Sequence, residues 1–257
     1  MDDPSLALTE ELADMLAVNS LVDPRTVPVR FTRLKTMAQS PAHYRHACQS
    51  EWAGTRATRI GSGSHGLVLG RPVVEWPKIR RGKEWEAFRK QSGDATILSA
   101  KEYDQAQAIA ESVMAHPDAF RLLCAPGVVT EQTIEWQWLG LRCTSTPDAR
   151  GTEFVADLKT AKTSEPGRFG RDGLFRGYNA QLAFYMMAIE HLTGQRPDDA
   201  FLVAVESSPP YPVTVMQLTA RAIERGERLC RMWMERLLGC IENNEWPGYV
   251  SCVTEFD

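Results

Sequence analysis

Apolar positions recur at helical spacing in several stretches of the chain. Residues 6–18 (LALTEELADMLAV) carry one such stripe, with Thr9 placed as an N-cap. Ser40-Pro41 opens a helix running through residue 49, with Ser at the cap and Pro in the first turn. Gly61 to Leu69 (GSGSHGLVL) reads as the start of another helix, entered through glycines. Ser99 to Ala115 is helical, Ser99 and Glu102 forming a capping box. Two more helices follow, over 177–192 with Gly194 closing it, and from Thr219 to Asn243 before Trp246-Pro247. VDPRTVP at 22–28 reads as a connector, and 71–83, with two prolines and a basic cluster, as a long exposed loop.

Past residue 127 the period changes from 3.6 to 2. Val128–Trp138 alternates and is rich in β-branched and aromatic residues. Leu141–Asp148 and Phe154–Lys159 follow as strands joined by the turn DARGT, and Phe201–Glu206 and Pro212–Leu218 as two more. Helices, three strands, a helix, two strands and a helix predict an α/β (α+β) fold with a central mixed sheet flanked by helices. The expected organisation is a helical extension over 1–25 and one domain over 26–257.

The composition is that of an ordinary globular chain: 257 residues, 43% hydrophobic and 24% charged. No apolar run approaches the ~18–20 residues of a membrane span. The acidic start MDDPSLALTEELADM lacks the basic and apolar regions of a secretory signal, so an intracellular protein is expected. The six cysteines (48, 124, 143, 230, 240, 252) include no CxxC pair, which favours reduced thiols over a disulfide framework. Net charge is −4, yet Arg25 to Lys90 holds 14 Lys and Arg against 4 Asp and Glu. That basic half suits a polyanion, or is simply an uneven solvated surface.

The chemistry concentrates in TPDARGTEFVADLKTAK at 146–162. Asp157 and Lys159 stand two apart on a strand, so their side chains leave the same face. Asp148 lies nine residues upstream across a short turn, where antiparallel pairing sets it beside Asp157. Two close carboxylates repel unless a cation compensates. Mg2+, which prefers hard oxygen ligands, is the natural compensator, and a lysine alongside would stabilise charge developing on a phosphodiester. The bland alternative is an exposed hairpin with incidental charges. Against it, Asp157 sits in an otherwise apolar strand, where an unpartnered acid is costly.

Pro147-Asp148 followed by Asp157-Leu158-Lys159 resembles the PD-(D/E)xK nuclease signature, with Asp as its second acid. Gly61 to His65 is similar to the GxxxH helix of the RecB-like branch. Gln181 and Tyr185 are similar to the QxxxY motif of RecB-like and lambda-type enzymes, with Tyr178 three residues before Gln181. Glu131 opens the strand before the hairpin, where these enzymes often carry a Glu. Within the superfamily, SPAHYRHA at 40–47, GSGSHGLVL at 61–69, RRGKEWEAF at 80–88, ESVMAHP at 111–117, YNAQLAFY at 178–185 and NEWPGY at 244–249 resemble the C-terminal nuclease domain of RecE (exonuclease VIII) and its phage relatives. At 30–35 the chain reads RFTRLK, where that family has a Ser-rich element.

The resemblance implies a PD-(D/E)xK restriction-endonuclease-like core and a cytoplasmic 5′→3′ exodeoxyribonuclease of phage or prophage origin. Such an enzyme digests one strand of linear double-stranded DNA and leaves a 3′ overhang for a RecT-type annealing protein. It implies a ring-forming homo-oligomer. By the same resemblance His65, Asp148, Asp157 and the Leu158 carbonyl hold Mg2+, for which Mn2+ substitutes. Lys159 is the catalytic cation, and Gln181, Tyr185 and Tyr178 position it or the scissile strand. Glu131 serves a second metal, Lys159 orientation or strand structure. Arg45, Arg80, Arg81 and Lys83 become phosphate contacts, although a solvated loop or an oligomer interface explains the 80–83 cluster equally well. Arg168, Arg171 and Arg176, read as flanking a Gly-rich loop, would grip the strand end. Cys230, Cys240 and Cys252 are spaced too widely for the four-cysteine iron–sulfur cluster of some relatives, so none is expected. An endonuclease of the same superfamily and a silent DNA-binding module are the competing readings.

Overall fold

Capping residues fix where most helices begin. In a computed structural model, which describes residues 26–50 and 55–249, the elements in chain order are β1 (Val29–Arg30), α1 (Phe31–Leu34), α2 (Pro41–Gln49), α3 (Arg56–Leu69), β2 (Val73–Glu75), α4 (Gly82–Ser92), β3 (Thr96–Leu98), α5 (Ala100–Ala115), α6 (Pro117–Leu123), β4 (Val129–Thr130), β5 (Ile134–Trp138), β6 (Leu141–Ser145), β7 (Ala149–Arg150), β8 (Phe154–Ala161), α7 (Pro166–Arg176), α8 (Tyr178–Thr193), β9 (Asp199–Glu206), β10 (Val213–Gln217) and α9 (Ala220–Asn243). Ser40 caps α2 through the His43 amide, Thr55 caps α3 through the Thr58 amide, and Ser99 with Glu102 forms the capping box of α5. The helix expected over 6–18 lies outside the described residues.

By its contacts the chain divides into two units. Among the described residues, the larger comprises 55–136 and Ser145–Cys230 and contains a five-stranded sheet in the order β10-β9-β8-β7-β4. Its central strand β8 pairs parallel with β9 and antiparallel with β7, so the sheet is mixed. Ala156, Leu158, Val203 and Val205 of this sheet pack in one core with Ile60, Ile109 and Leu122 from α3, α5 and α6. A separate parallel pair, β2 with β3, lies in the same unit. Among the described residues, the smaller unit takes in 26–50, Gln137–Thr144 and 231–249. There β1 pairs parallel with β6, and Phe31 packs against Trp233 at 6.3 Å.

Four local expectations are corrected. The segment 71–83 is not one long loop: β2 occupies Val73–Glu75 and α4 starts at Gly82. The strand expected over Val128–Trp138 is broken in two, because Glu131 takes a positive φ of 49°. The strand expected over Leu141–Asp148 ends at Ser145, and β7 begins only after Asp148. The Gly-rich stretch after Lys159 is the helix α7, started by Pro166 at its first position, with Glu165 accepting the Gly167 and Arg168 amides, and ended by left-handed Gly177.

Candidate active site

The site lies where β7 parts from β8. Ala149 is opposite Ala156 and Arg150 opposite Val155, so the next pair would set Asp148 against Asp157. Ladder pairing stops there. The Leu158 amide, which in a longer hairpin would bond a strand backbone, instead donates to Asp148 Oδ2 at 2.7 Å. His65 Nδ1 lies 3.6 Å from the same Asp148 oxygen.

His65 reaches this point because α3 approaches β8 closely. A Cβ at Gly61, one helical turn before His65, would sit 2.9 Å from Thr160 Oγ1 on β8. Glycine there lets the helix backbone come near enough to deliver an imidazole to the strand.

Asp157 and Lys159 project from the same strand face, as two-residue spacing requires. Asp157 is 1% exposed, and its Oδ2 has the Lys159 ammonium as its ionic neighbour but accepts no well-formed hydrogen bond. The Lys159 ammonium in turn stands 5.0 Å over the Tyr178 ring. Tyr178 opens α8, on which Gln181 Nε2 donates to the Tyr185 hydroxyl at 2.9 Å. Tyr185 is buried, and burial followed by the fields of Asp157 and Asp148 holds its phenol well above the usual range.

Burial dominates the electrostatics of this cluster. Burial pushes Asp157 up to about 6 against the opposing pull of Lys159, and Asp148 is also raised, again by burial first. Burial alone would lower Lys159, but Asp157 and then Asp148 outweigh it and hold the ammonium above its ordinary range. His65 is lowered to about 4 by burial and then by Lys159, so at neutral pH it is an uncharged imidazole with a lone pair to offer. Among the described residues no three His, Cys, Asp or Glu side chains are already gathered in a metal-ligating group. The Asp148 and Asp157 carboxylates, the Leu158 carbonyl and the uncharged His65 imidazole are nonetheless donors of the types that a hard divalent cation takes.

Glu131 belongs to the rim of this cluster. Its amide donates to the Asp148 carbonyl at 3.1 Å, and its Oε2 meets Arg71 Nε at 2.5 Å. Arg71 was not among the sequence candidates. It follows Gly70, whose left-handed turn ends α3, and its charge is felt at His65, Asp148 and Glu131. It stands six positions after His65, but only the turn after the helix brings it back.

Beside the centre is a cavity of about 650 Å3, lined among others by Arg56, Gly61, Thr160, Lys162, Arg176 and Tyr178. Arg176 thus adjoins the site, while Arg168 and Arg171 are exposed on α7. Arg81 and Lys83 are exposed at the start of α4. Arg80 is engaged inside the fold: its Nη2 donates to the Ile97 carbonyl at 2.9 Å and to Glu102 Oε2 at 3.0 Å. Arg45 lies on α2 of the smaller unit.

Residues 31–254 match the family described as "PDDEXK-like domain of unknown function (DUF3799)". The chain belongs to this PDDEXK-like family. Its fold is shared with a crystal structure from Eubacterium rectale named "Putative exonuclease", at a TM-score of 0.64 and 15% identity over 88% of this chain and 85% of that one. An alkaline exonuclease from Laribacter hongkongensis matches at a TM-score of 0.33 and 15% identity, over 73% of this chain and 93% of its own. No curated protein matches. No helix among the described residues is long and apolar enough to cross a membrane.

Proposed function

We propose that this protein is a Mg2+-dependent exodeoxyribonuclease that degrades one strand of linear double-stranded DNA in the 5′→3′ direction. The 3′ overhangs it leaves would feed phage-type recombination by strand annealing in the bacterial cytoplasm. One observation carries the reading: at the mouth of the hairpin, Asp148 Oδ2 accepts the Leu158 amide and lies 3.6 Å from His65 Nδ1, while on the same strand buried Asp157 is paired with the Lys159 ammonium. The exonuclease name of the Eubacterium rectale neighbour agrees with it.

His65, Asp148, Asp157 and the Leu158 carbonyl would hold the cation. Mg2+, or Mn2+ in its place, would polarise the scissile phosphodiester and acidify a water. Asp148 keeps its place because the Leu158 amide holds it, so the hairpin enters the reaction already ordered. Lys159, protonated and backed by the Tyr178 ring, offers its N–H groups to the oxygen on which negative charge grows. Gln181 and Tyr185 fix the α8 side of the site through their mutual hydrogen bond. Arg71 holds the Glu131 carboxylate at the rim, giving Glu131 a structural role toward Asp148. Arg81, Lys83, Arg168, Arg171 and Arg176 are the proposed phosphate contacts, and binding should weaken steeply with salt. A ring-shaped homo-oligomer and a RecT-type annealing partner follow from the resemblance to the RecE nuclease domain.

The deciding assay uses linear duplex labelled at either the 5′ or the 3′ end, and closed circular duplex, across a Mg2+ titration. The proposal expects release of nucleotides from one 5′ end, dependence on Mg2+ and an intact circle. Nicked or linearised circles would replace it with an endonuclease. Inert linear DNA under both Mg2+ and Mn2+ would leave a binding module.

A further inference from the structure

Helix α7 presents two adjacent stripes. Phe169, Asp172 and Arg176, spaced three and four apart, line the cavity beside the Lys159 centre. Arg168, Arg171 and Phe175, also spaced three and four apart, form the next stripe round the helix. Both arginines of that stripe are exposed, and Phe175 is 94% exposed. The ring contributes nothing to the core, since the helix already buries Phe169 to 3% exposure on its other side. Its neighbour Leu174 is 43% exposed. Glu165 at the start of the helix accepts its own N-terminal amides, with Arg171 and Arg168 acting on it only through their fields, and Asp172 lines the cavity. Only Arg176 and the left-handed Gly177 separate Phe175 from Tyr178, whose ring supports the Lys159 ammonium.

An aromatic ring in water next to two guanidinium groups suits a ligand that offers a flat apolar face and regularly spaced anions. Guanidinium forks match phosphate oxygens, and an exposed ring matches a base. A paired duplex hides its base faces between neighbouring pairs, so the match is to unpaired bases. We propose that Phe175 is a stacking platform for an unpaired base of a DNA strand whose phosphates follow Arg168 and Arg171 beside the Lys159 centre. The inference deepens the nuclease reading, on which it rests, by naming where single-stranded DNA lies.

The test is equilibrium binding of the full chain, in chelator, to two fluorescent probes of equal length and charge: oligothymidylate and an abasic deoxyribose-phosphate chain. The wild-type protein is expected to prefer oligothymidylate by about tenfold, the scale of one stacked base. Phe175→Ala should bind both probes alike, at the abasic level, and Phe175→Trp should restore the preference. Nucleotide release by the wild-type protein from linear duplex with Mg2+ is measured alongside, so a failed nuclease reading shows there and not in the binding ratio. The inference is overturned if Phe175→Ala keeps the preference, or if it weakens both probes equally. It is also overturned if that variant breaks up a wild-type oligomer in sedimentation while leaving the preference unchanged, which would make Phe175 a contact between copies.

Discussion

Asp148 Oδ2 accepts the Leu158 amide at 2.7 Å and lies 3.6 Å from His65 Nδ1. A single oxygen thereby ties the turn before β7, the strand β8 and the helix α3. The bond to Leu158 also replaces a backbone ladder bond at the point where the hairpin opens, so Asp148 has a folding role beside any chemical one.

The two roles separate in Asp148→Asn. The amide oxygen still accepts from Leu158, so the hairpin should persist and melting should shift by only a few degrees. The ligand charge is gone, and affinity for Mn2+ should fall by more than about a hundredfold, with cleavage falling in step. Calorimetric titration with Mn2+ beside a thermal melt checks this. An unchanged Mn2+ affinity would remove Asp148 from the proposed donor set.

Lys159→Met removes the one ammonium paired with Asp157. Cleavage should drop by at least about a hundredfold, the scale of losing a charged group that stabilises developing charge. Binding of duplex in chelator should change little, because the exposed arginines remain. The Asp157 carboxyl, already pushed up to about 6 by burial, loses the pull that lowers it and should titrate at higher pH. Carboxyl NMR of the two proteins reads that shift directly, and a fall in Asp157 pKa would contradict the pairing.

Away from the site, Glu102 is the main buried electrostatic tie. It is 4% exposed and accepts from Arg59 Nη2 at 2.7 Å, Arg80 Nη2 at 3.0 Å and the Ser99 amide at 3.0 Å. Burial would raise its carboxyl, but the Ser99 amide and Arg59 outweigh that and hold it at about 2. A depressed folded pKa stabilises the fold above the unfolded value near 4.5 and loses that contribution as pH falls toward about 2. Glu102→Gln should therefore cost about 2–3 kcal/mol at pH 7, with the gap to wild type closing between pH 4.5 and 2. Melting curves across that range test the sign. Arg80→Ala should likewise lower stability and leave the salt slope of DNA binding unchanged, whereas Arg81→Ala and Lys83→Ala should each reduce that slope by about 1.

The parts of the site legible in the sequence are those that depend on strand parity and short turns. Asp157 and Lys159 share a face because they are two apart, and Asp148 falls opposite because the DARGT turn is short. Ser40, Ser99 and Glu102 announce their helices because capping is local chemistry. What was illegible depends on tertiary contact. Helix α4 buries no residue fully, and its apolar face is only Trp85 and Phe88, which hold it by packing on Trp76 at 5.7 and 4.7 Å. Helix α7 contains three glycines and reads as a loop, yet Gly173 is needed small, since a Cβ there would come within 3.1 Å of the Tyr178 ring. Arg71 and Arg80 look alike in a basic stretch, and only folding sends one to Glu131 and the other to Glu102.

Close backbone approach gives the last prediction. A Cβ on Gly226 of α9 would sit 2.4 Å from the Asn179 carbonyl oxygen on α8, and main chain cannot rotate away. The same contact is braced by Asn179 Nδ2 donating to the Ala222 carbonyl at 3.0 Å. Gly226→Ala must push the first turn of α8 outward, at a cost of about 1–3 kcal/mol for overpacking. That turn carries Tyr178 and Gln181, so cleavage should fall together with the melting temperature. Gly61→Ala meets only the rotatable Thr160 hydroxyl at 2.9 Å, so its stability loss should be the smaller of the two. Its effect on Mn2+ affinity should be the larger, because any shift of α3 away from Thr160 moves His65 one turn further along that helix. Measuring melting temperature and Mn2+ affinity for both variants separates the two glycines, and the opposite ranking would show that α3 does not set the position of His65.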